Sequence, residues 1–286
     1  MPSEVITFIG GGNMSLAIIR GLIDSGFAAS SILVAEPSGQ QRERLHRAFP
    51  DAVVEADNTR VTERADTLLL AVKPQVLPDV CRELAATVQA SKPLIVSIAA
   101  GVRSTDIDAW LGGGLAVVRV MPNQPALLGK GVSGLYANPR TSPDDRARAR
   151  RILTAVGEVL DFDREADIDA VTAVSGSGPA YFFLLIDMLV EAGERFGLDG
   201  DSAARLAVET ASGAAALAAA ADEPMDKLIA RVRSPGGTTA AALDSLESDG
   251  VRDIFARALT AARDRAVTLA DIARENRDNN QDKNSD

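Results

Sequence analysis

Residues 5–26 read VITFIGGGNMSLAIIRGLIDSG, and this stretch decides the fold. An apolar, β-rich run, 5–9, enters the triplet Gly10-Gly11-Gly12 and leaves through Asn13-Met14-Ser15 into an amphipathic helix that ends near Gly26. A dinucleotide-binding loop needs a first glycine for the tight turn, a second so that the backbone can approach a pyrophosphate, and a small third residue for close helix–strand packing. Gly10, Gly12 and Ser15 stand at these places. The helix N-terminus would add free N–H groups and the positive end of its dipole. A glycine triplet alone is often only a turn; the order strand, turn, helix carries the reading.

Outward from this unit, β-rich runs alternate with helix-like segments: SILVAE, AVVE, TLLLAV, LIVSI and LAVVRV, with VSGLYA after them. Most are continuously apolar, as expected of strands covered on both faces. The pattern predicts an α/β fold whose N-terminal part, 1–164, is a Rossmann-type doubly wound parallel sheet. After GEVLDFD the strand signals stop, and 165–275 reads as helix, in segments near 165–174, 178–197, 201–221, 224–232, 237–249 and 251–275. Alanine dominates 203–221, which suits a helix packed closely against others, within the chain or across a subunit interface. The polar, aromatic-free stretch 276–286 is expected to be disordered.

The chain has 286 residues, a net charge of -10 and a sequence that is 46% hydrophobic. Its length favours two domains, and its acidity argues against nucleic acid or an anionic membrane surface as partner. MPSEVITFIG lacks a basic stretch leading into a long apolar one, and no run approaches the roughly eighteen consecutive apolar residues that signal a membrane span. The expected location is the cytoplasm. Cys81 is the one cysteine and His46 the one histidine, which speaks against a disulfide, a Cys/His zinc site or any other metal site, and His46 lies in a charged helical stretch typical of surface.

Four more segments carry chemistry. Ala71-Val72-Lys73-Pro74-Gln75 follows an apolar run, so Lys73 stands at the carboxyl end of a strand, either lining a cofactor site or solvated in a loop. Ser97-Ile98-Ala99-Ala100-Gly101 closes the next run with small residues, which permits close approach of a nicotinamide or serves simply as a turn. Ser175-Gly176-Ser177-Gly178-Pro179 precedes a long apolar helix; its free N–H groups suit a carboxylate, and Ser177 could equally be an ordinary helix cap. Ser234-Pro235-Gly236-Gly237-Thr238-Thr239 opens another helix with more glycine and hydroxyl than a turn requires. Paired turns of this kind would hold a small carboxylate, with hydroxyls reaching a ring nitrogen.

FIGGGNMS, AVKPQ, SIAAGV, RVMPNQPA, AVSGSGPAYFF and SPGGTT resemble, in order and approximate spacing, the pyrroline-5-carboxylate reductase family over about residues 5 to 270. The resemblance implies a Rossmann domain followed by an all-α dimerisation domain, and homo-oligomers built from dimers that can assemble into decamers. It implies reduction of L-1-pyrroline-5-carboxylate to L-proline, the last step of proline biosynthesis, by hydride transfer from NADP(H) or NAD(H), with substrate meeting the helical domain of the neighbouring subunit. By motif position, Gly10, Gly12, Asn13, Met14, Val72, Lys73 and Pro74 contact cofactor. Ser177, Gly178, Ser234, Gly236, Gly237, Thr238 and Thr239 surround substrate, and Thr239 is the candidate catalytic residue, orienting the imine nitrogen.

Three positions depart from the family's pattern. Gln124 replaces a common threonine, Ala230 a common acidic residue, and Glu36 ends the second strand where many relatives carry a small polar residue. An acid there meets the adenosine ribose and bears on the choice between NADH and NADPH. Two rival functions remain at this level. A β-hydroxyacid dehydrogenase would place a catalytic lysine four residues after the turn glycine, where this chain has Phe182 and no lysine from 131 to 226. A non-catalytic NAD(P)-binding redox sensor would not need SPGGTT.

Overall fold

A computed structural model of the chain describes residues 4–282, with side chains placed through residue 268. The chain forms two compact units, one running to Ser177 and taken up again from Ala262, the other Gly178–Ala261. In the first unit, β1 (Ile6–Ile9) leads into α1 (Asn13–Asp24), β2 (Ile32–Ala35) into α2 (Gly39–Ala48), and β3 (Val53–Glu55) into the short α3 (Asn58–Thr62). Then β4 (Thr67–Leu70) leads into α4 (Leu77–Ser91) and β5 (Leu94–Ser97) into α5 (Ser104–Trp110). The unit continues with β6 (Val117–Met121), β7 (Gly131–Ala137), α6 (Pro143–Thr154) and β8 (Gly157–Phe162).

The sheet order is β3-β2-β1-β4-β5-β6-β7-β8. The first six strands are parallel, as the apolar runs predict, whereas β7 is antiparallel to β6 and carries β8 with it. The reversal has a simple cause. Only residues 122–130 join β6 to β7, built around a 3-10 turn at Gln124–Leu128, and a crossover back to a parallel neighbour takes a dozen residues or more. Side chains alternate between two cores: Ile6 and Phe8 of β1 and Leu69 of β4 join one, while Ile9, Leu68 and Leu70 join the other. Helices cover both faces, and each fully buried aliphatic side chain contributes about 1.5–3 kcal/mol.

The first unit closes with α7 (Asp167–Val171) and a π-helical turn, Thr172–Gly176. These residues pack on the sheet: Ile168 is buried, and a side chain at Gly134 of β7 would come within 2.8 Å of Val171 Cγ2. Packing therefore divides the chain between Ser177 and Gly178, thirteen residues beyond the expected 164/165 boundary, which rested on where helix replaces strand.

The second unit contains α8 (Gly178–Arg195), α9 (Gly200–Ala220), α10 (Met225–Val232), α11 (Thr238–Ser248) and the start of α12 (Val251–Asp282). Asp199 caps α9 by accepting the Ser202 N–H at 3.0 Å. Gly193 lets α8 approach α9, since a Cβ there would sit 3.1 Å from that of Ala203. The buried residues of this unit are Gly178, Gly193, Ala203, Ala207 and Ala240; every large apolar side chain remains at least partly accessible. Phe182, Phe183, Leu206 and Leu217 are exposed by 57–70%. Helix α12 continues to Asp282, so 276–282 is helical where disorder was expected; residues 283–286 of that stretch lie outside the described residues.

The apolar-run argument also needs correction. Asp167–Arg195 forms one helical stretch long and apolar enough, by length and composition, to cross a membrane, because its small Gly, Ala and Ser residues interrupt the apolar run without making it hydrophilic. Only 11% of that window is buried.

Candidate active site

The strand order reverses between β1 and β4, and the cofactor candidates gather at the carboxyl ends of β1, β2 and β4 around that point, where open α/β sheets bind their ligands. Gly10 has φ +100°, donates its N–H to Ala35 O at 2.9 Å and lies where a Cβ would come within 2.9 Å of Ala71 O. Ser15 is buried and donates its hydroxyl to Gly10 O at 2.6 Å, tying α1 to the turn. Gly11 is crowded by Leu45 Cδ1, 2.5 Å from the Cβ position. Gly12 differs. As N-cap of α1 it has φ -70°, and beyond its own neighbours in the chain no atom of the described residues lies within 4 Å of its Cβ position, so none of them demands a glycine there. A backbone left bare at a helix N-terminus fits the close approach of a pyrophosphate.

Asn13 is exposed and Met14 half-buried beside this turn. Glu36 sits opposite, its carboxylate accepting the N–H groups of Gly11 and Ser38, each at 2.9 Å. Arg42 donates to the carbonyls of Glu36 and Pro37, and Arg44 to Asn13 Oδ1, so both arginines have protein partners. Val72 lies 3.2 Å from the Gly10 Cβ position, Pro74 is half-buried, and Lys73 is exposed in a turn closed by Val76 N–H donating to Lys73 O.

The 172–177 turn is fixed at the end of β6. Ser177 N–H donates to Thr172 O at 2.9 Å, Asn123 Nδ2 to Ser175 Oγ at 3.2 Å, and a Cβ on Gly176 would strike Met121 Cε at 2.4 Å. The Ser177 hydroxyl has no hydrogen-bond partner among the described residues, so it does not act as the helix cap that the sequence allowed. Gly178 begins α8 and is buried.

In the second unit, Gly237 N–H donates to Ser234 O at 3.0 Å and Gly236 takes φ +68°, which makes a tight turn at the N-terminus of α11. Arg233 pairs with Asp244 and pins the turn to the helix it opens. Ser234, Gly236 and Thr238 are exposed; Gly237 and Thr239 are half-buried. Gly237 is the N-cap without a side-chain cap, so the first N–H groups of α11 remain available to a ligand.

Sequence reading passed over a buried cluster. Arg119, in the middle of β6 and 1% exposed, donates to Asp169 Oδ1 at 2.7 Å and lies 3.7 Å from Glu165 Oε1. Glu165 in turn accepts the N–H and hydroxyl of Ser104 at 2.6 and 2.8 Å. Tyr136, opposite Arg119 in β7, has its hydroxyl pKa pushed up by burial and by the charge of Glu165. An arginine inside the apolar run LAVVRV was the available signal, because a buried charge demands partners. Elsewhere, burial raises the Cys81 thiol to about 12, which removes it as a nucleophile, and His46 is exposed on α2.

The chain is similar to known proteins along its length. Residues 165–269 match the family model described as pyrroline-5-carboxylate reductase dimerisation, and residues 5–101 one described as NADP oxidoreductase, coenzyme F420-dependent. The pyrroline-5-carboxylate reductase of Pseudomonas aeruginosa is 45% identical over 95% of this chain and 98% of its own. A solved pyrroline-5-carboxylate reductase from Coxiella burnetii superposes with a TM-score of 0.88 at 39% identity, covering 94% of this chain and 99% of its own. The Plasmodium falciparum pyrroline carboxylate reductase, solved with NADP bound, gives a TM-score of 0.84 at 26% identity over 94% and 99% of the two chains.

Proposed function

The chain belongs to the pyrroline-5-carboxylate reductase family, and from that premise we propose how its own residues divide the work of reduction. It is an NAD(P)H-dependent oxidoreductase that reduces L-1-pyrroline-5-carboxylate to L-proline, the step that completes proline biosynthesis. The observation that carries the residue assignment is the convergence of Gly10–Met14, Glu36 and Val72–Pro74 at the sheet's switch point, with Gly12 open to a ligand.

When bound, the nicotinamide cofactor supplies the hydride that becomes the new C–H bond. Gly12 and the first N–H groups of α1 would receive the pyrophosphate, with Asn13 and Met14 beside it, and Glu36 would accept hydrogen bonds from the adenosine ribose. Val72, Lys73 and Pro74 line the neighbouring wall. Ser177 and Gly178 are assigned to substrate, as are Ser234, Gly236, Gly237, Thr238 and Thr239. Thr239 acts as the catalytic residue by accepting the N–H of the protonated imine. An iminium carbon is already electrophilic, so positioning replaces a strong general acid, and reacting atoms held at about 3–3.5 Å gain much of the rate. Reduction of the iminium gives a secondary amine, whose final proton comes from solvent.

The protein is a homo-oligomer, and we assign the dimer as building block, with decamers as a higher assembly. The apolar side chains along Asp167–Arg195 are then covered by a second copy rather than by lipid. The family consists of soluble biosynthetic enzymes, which favours the cytoplasm. The test is to mix purified protein with NAD(P)H in the presence and absence of pyrroline-5-carboxylate. Cofactor oxidation should require the imine and yield proline; cofactor binding without proline would leave the sensor reading.

A further inference from the structure

We infer that Arg119 is a positioning residue for the reduction: from the middle of β6 its guanidinium fixes two segments, 97–104 after β5 and 165–177 before α8. The inference rests on the reading above, in which the 172–177 turn receives substrate.

A charged group 1% exposed in a central strand is costly unless paired, and an apolar side chain of similar size commonly stabilises such a place as well or better. Val117, Val118 and Val120 beside it are apolar and buried. What the guanidinium adds is direction, since its planar donors hold partners at set angles. Through Glu165 it reaches Ser104, the first residue of α5, whose N–H and hydroxyl both donate to that carboxylate. Ser104 follows Gly101, at φ +71°, so this contact fixes the exit of the small-residue loop 97–101.

Through Asp169 it reaches the substrate turn. Asp169 and Ser177 are linked by α7 and the π-helical turn that continues it, with Ser177 as its C-cap: Thr172 Oγ1 donates to Ile168 O at 2.9 Å and Ser177 N–H donates to Thr172 O. The far end of this stretch is held by Asn123 on Ser175 and by Met121 under Gly176. Both attachments lead back to β6 and the residues just after it. A displacement at Asp169 is therefore transmitted to Ser177, and reactions that depend on alignment lose about a hundredfold for an error near 1 Å.

Two substitutions separate position from charge. Asp169→Glu keeps the carboxylate and lengthens it by one methylene, whereas Asp169→Asn keeps the size and removes the charge. Each is made in the full chain, alone and with Ser177→Ala. Cofactor affinity is read by energy transfer from Trp110, the single tryptophan, to reduced nicotinamide, beside kcat, KM and thermal melting. Expected is a tenfold or larger fall in kcat/KM for pyrroline-5-carboxylate in both variants, cofactor Kd within twofold of wild type, and a smaller further loss when Ser177→Ala is added than it causes alone. Wild-type kcat/KM in Asp169→Glu overturns the inference, as does a parallel loss of cofactor affinity and melting temperature that adds independently to Ser177→Ala. If Ser177→Ala alone leaves kcat/KM intact, the substrate reading of the turn fails and takes the inference with it. A loss in Ser177→Ala beside unaffected Asp169 variants overturns the inference alone.

Discussion

The three glycines of the nucleotide loop are glycines for three different reasons. Gly10 is held at φ +100° against Ala71 O, so the backbone itself requires it, and a side chain on Gly11 would have to displace the end of Leu45. Gly12 is required by neither backbone nor packing. Gly10→Ala should therefore cost about 1–3 kcal/mol of stability, read as a lowered melting temperature. Gly12→Val should leave melting nearly unchanged and weaken cofactor binding by tenfold or more; normal affinity in that variant would contradict the placement of pyrophosphate. Glu36 offers a second contrast. Its carboxylate is already caught by Gly11 N–H and Ser38 N–H, and Arg42 and Arg44 are engaged with carbonyls and Asn13, so neither arginine can neutralise a 2′-phosphate without giving up those bonds. Both cofactors are expected to serve, with NADH tolerated better than in relatives that lack the acid. Glu36→Ser should shift the ratio of kcat/KM values toward NADPH by several-fold, and an unchanged ratio removes Glu36 from cofactor choice. The sequence placed Glu36 at the end of the second strand, and it stands one residue beyond β2, which closes at Ala35. The sequence could not show the bond to Gly11, twenty-five residues away, which only the pairing of β1 with β2 creates.

At the level of elements, the strands were legible because burial on both faces leaves uninterrupted apolar runs, and the helices because their caps and glycine turns stand out. The reversal of β7 was not, since the connection length becomes informative only once the neighbouring strand is known. The placement of α7 was hidden for a similar reason: its sequence says helix, while its attachment to the sheet depends on Arg119 and on the missing side chain of Gly134. Turn 234–239 was readable from glycine and hydroxyl content, and the structure adds that Thr239 lies half-buried in the first turn of α11 without a side-chain cap to occupy the helix N-terminus. Thr239→Ala should lower kcat by about tenfold to a hundredfold, the worth of one hydrogen bond to a charged group, while cofactor affinity stays within twofold. Unchanged turnover would remove Thr239 from the mechanism.

The whole molecule poses an asymmetry between its halves. The first unit has two dense cores, one on each face of its sheet. The second buries only two glycines and three alanines, and leaves Phe182, Phe183, Leu184, Leu185 and Met188 of α8 each 46–64% exposed. A helical unit without a large buried side chain cannot offset the chain entropy of ordering some eighty residues, which costs about 1–2 kcal/mol each. Its core must be completed by another copy, and folding of this half is therefore coupled to association. For a dimer the association contribution changes by about 1.4 kcal/mol with each tenfold change in protein concentration. Spread over the unfolding entropy of two such chains, that amounts to roughly 1 °C per tenfold, or about 3 to 4 °C over a thousandfold range. The melting midpoint, followed by helical circular dichroism, should rise with concentration by this amount. Leu185→Glu, which places a charge on the exposed face of α8, should lower the oligomer mass in analytical ultracentrifugation and flatten the dependence. A midpoint independent of concentration over that range would mean that the helical half holds itself together, and the exposed face of α8 would then lose its assignment as the surface where two copies meet.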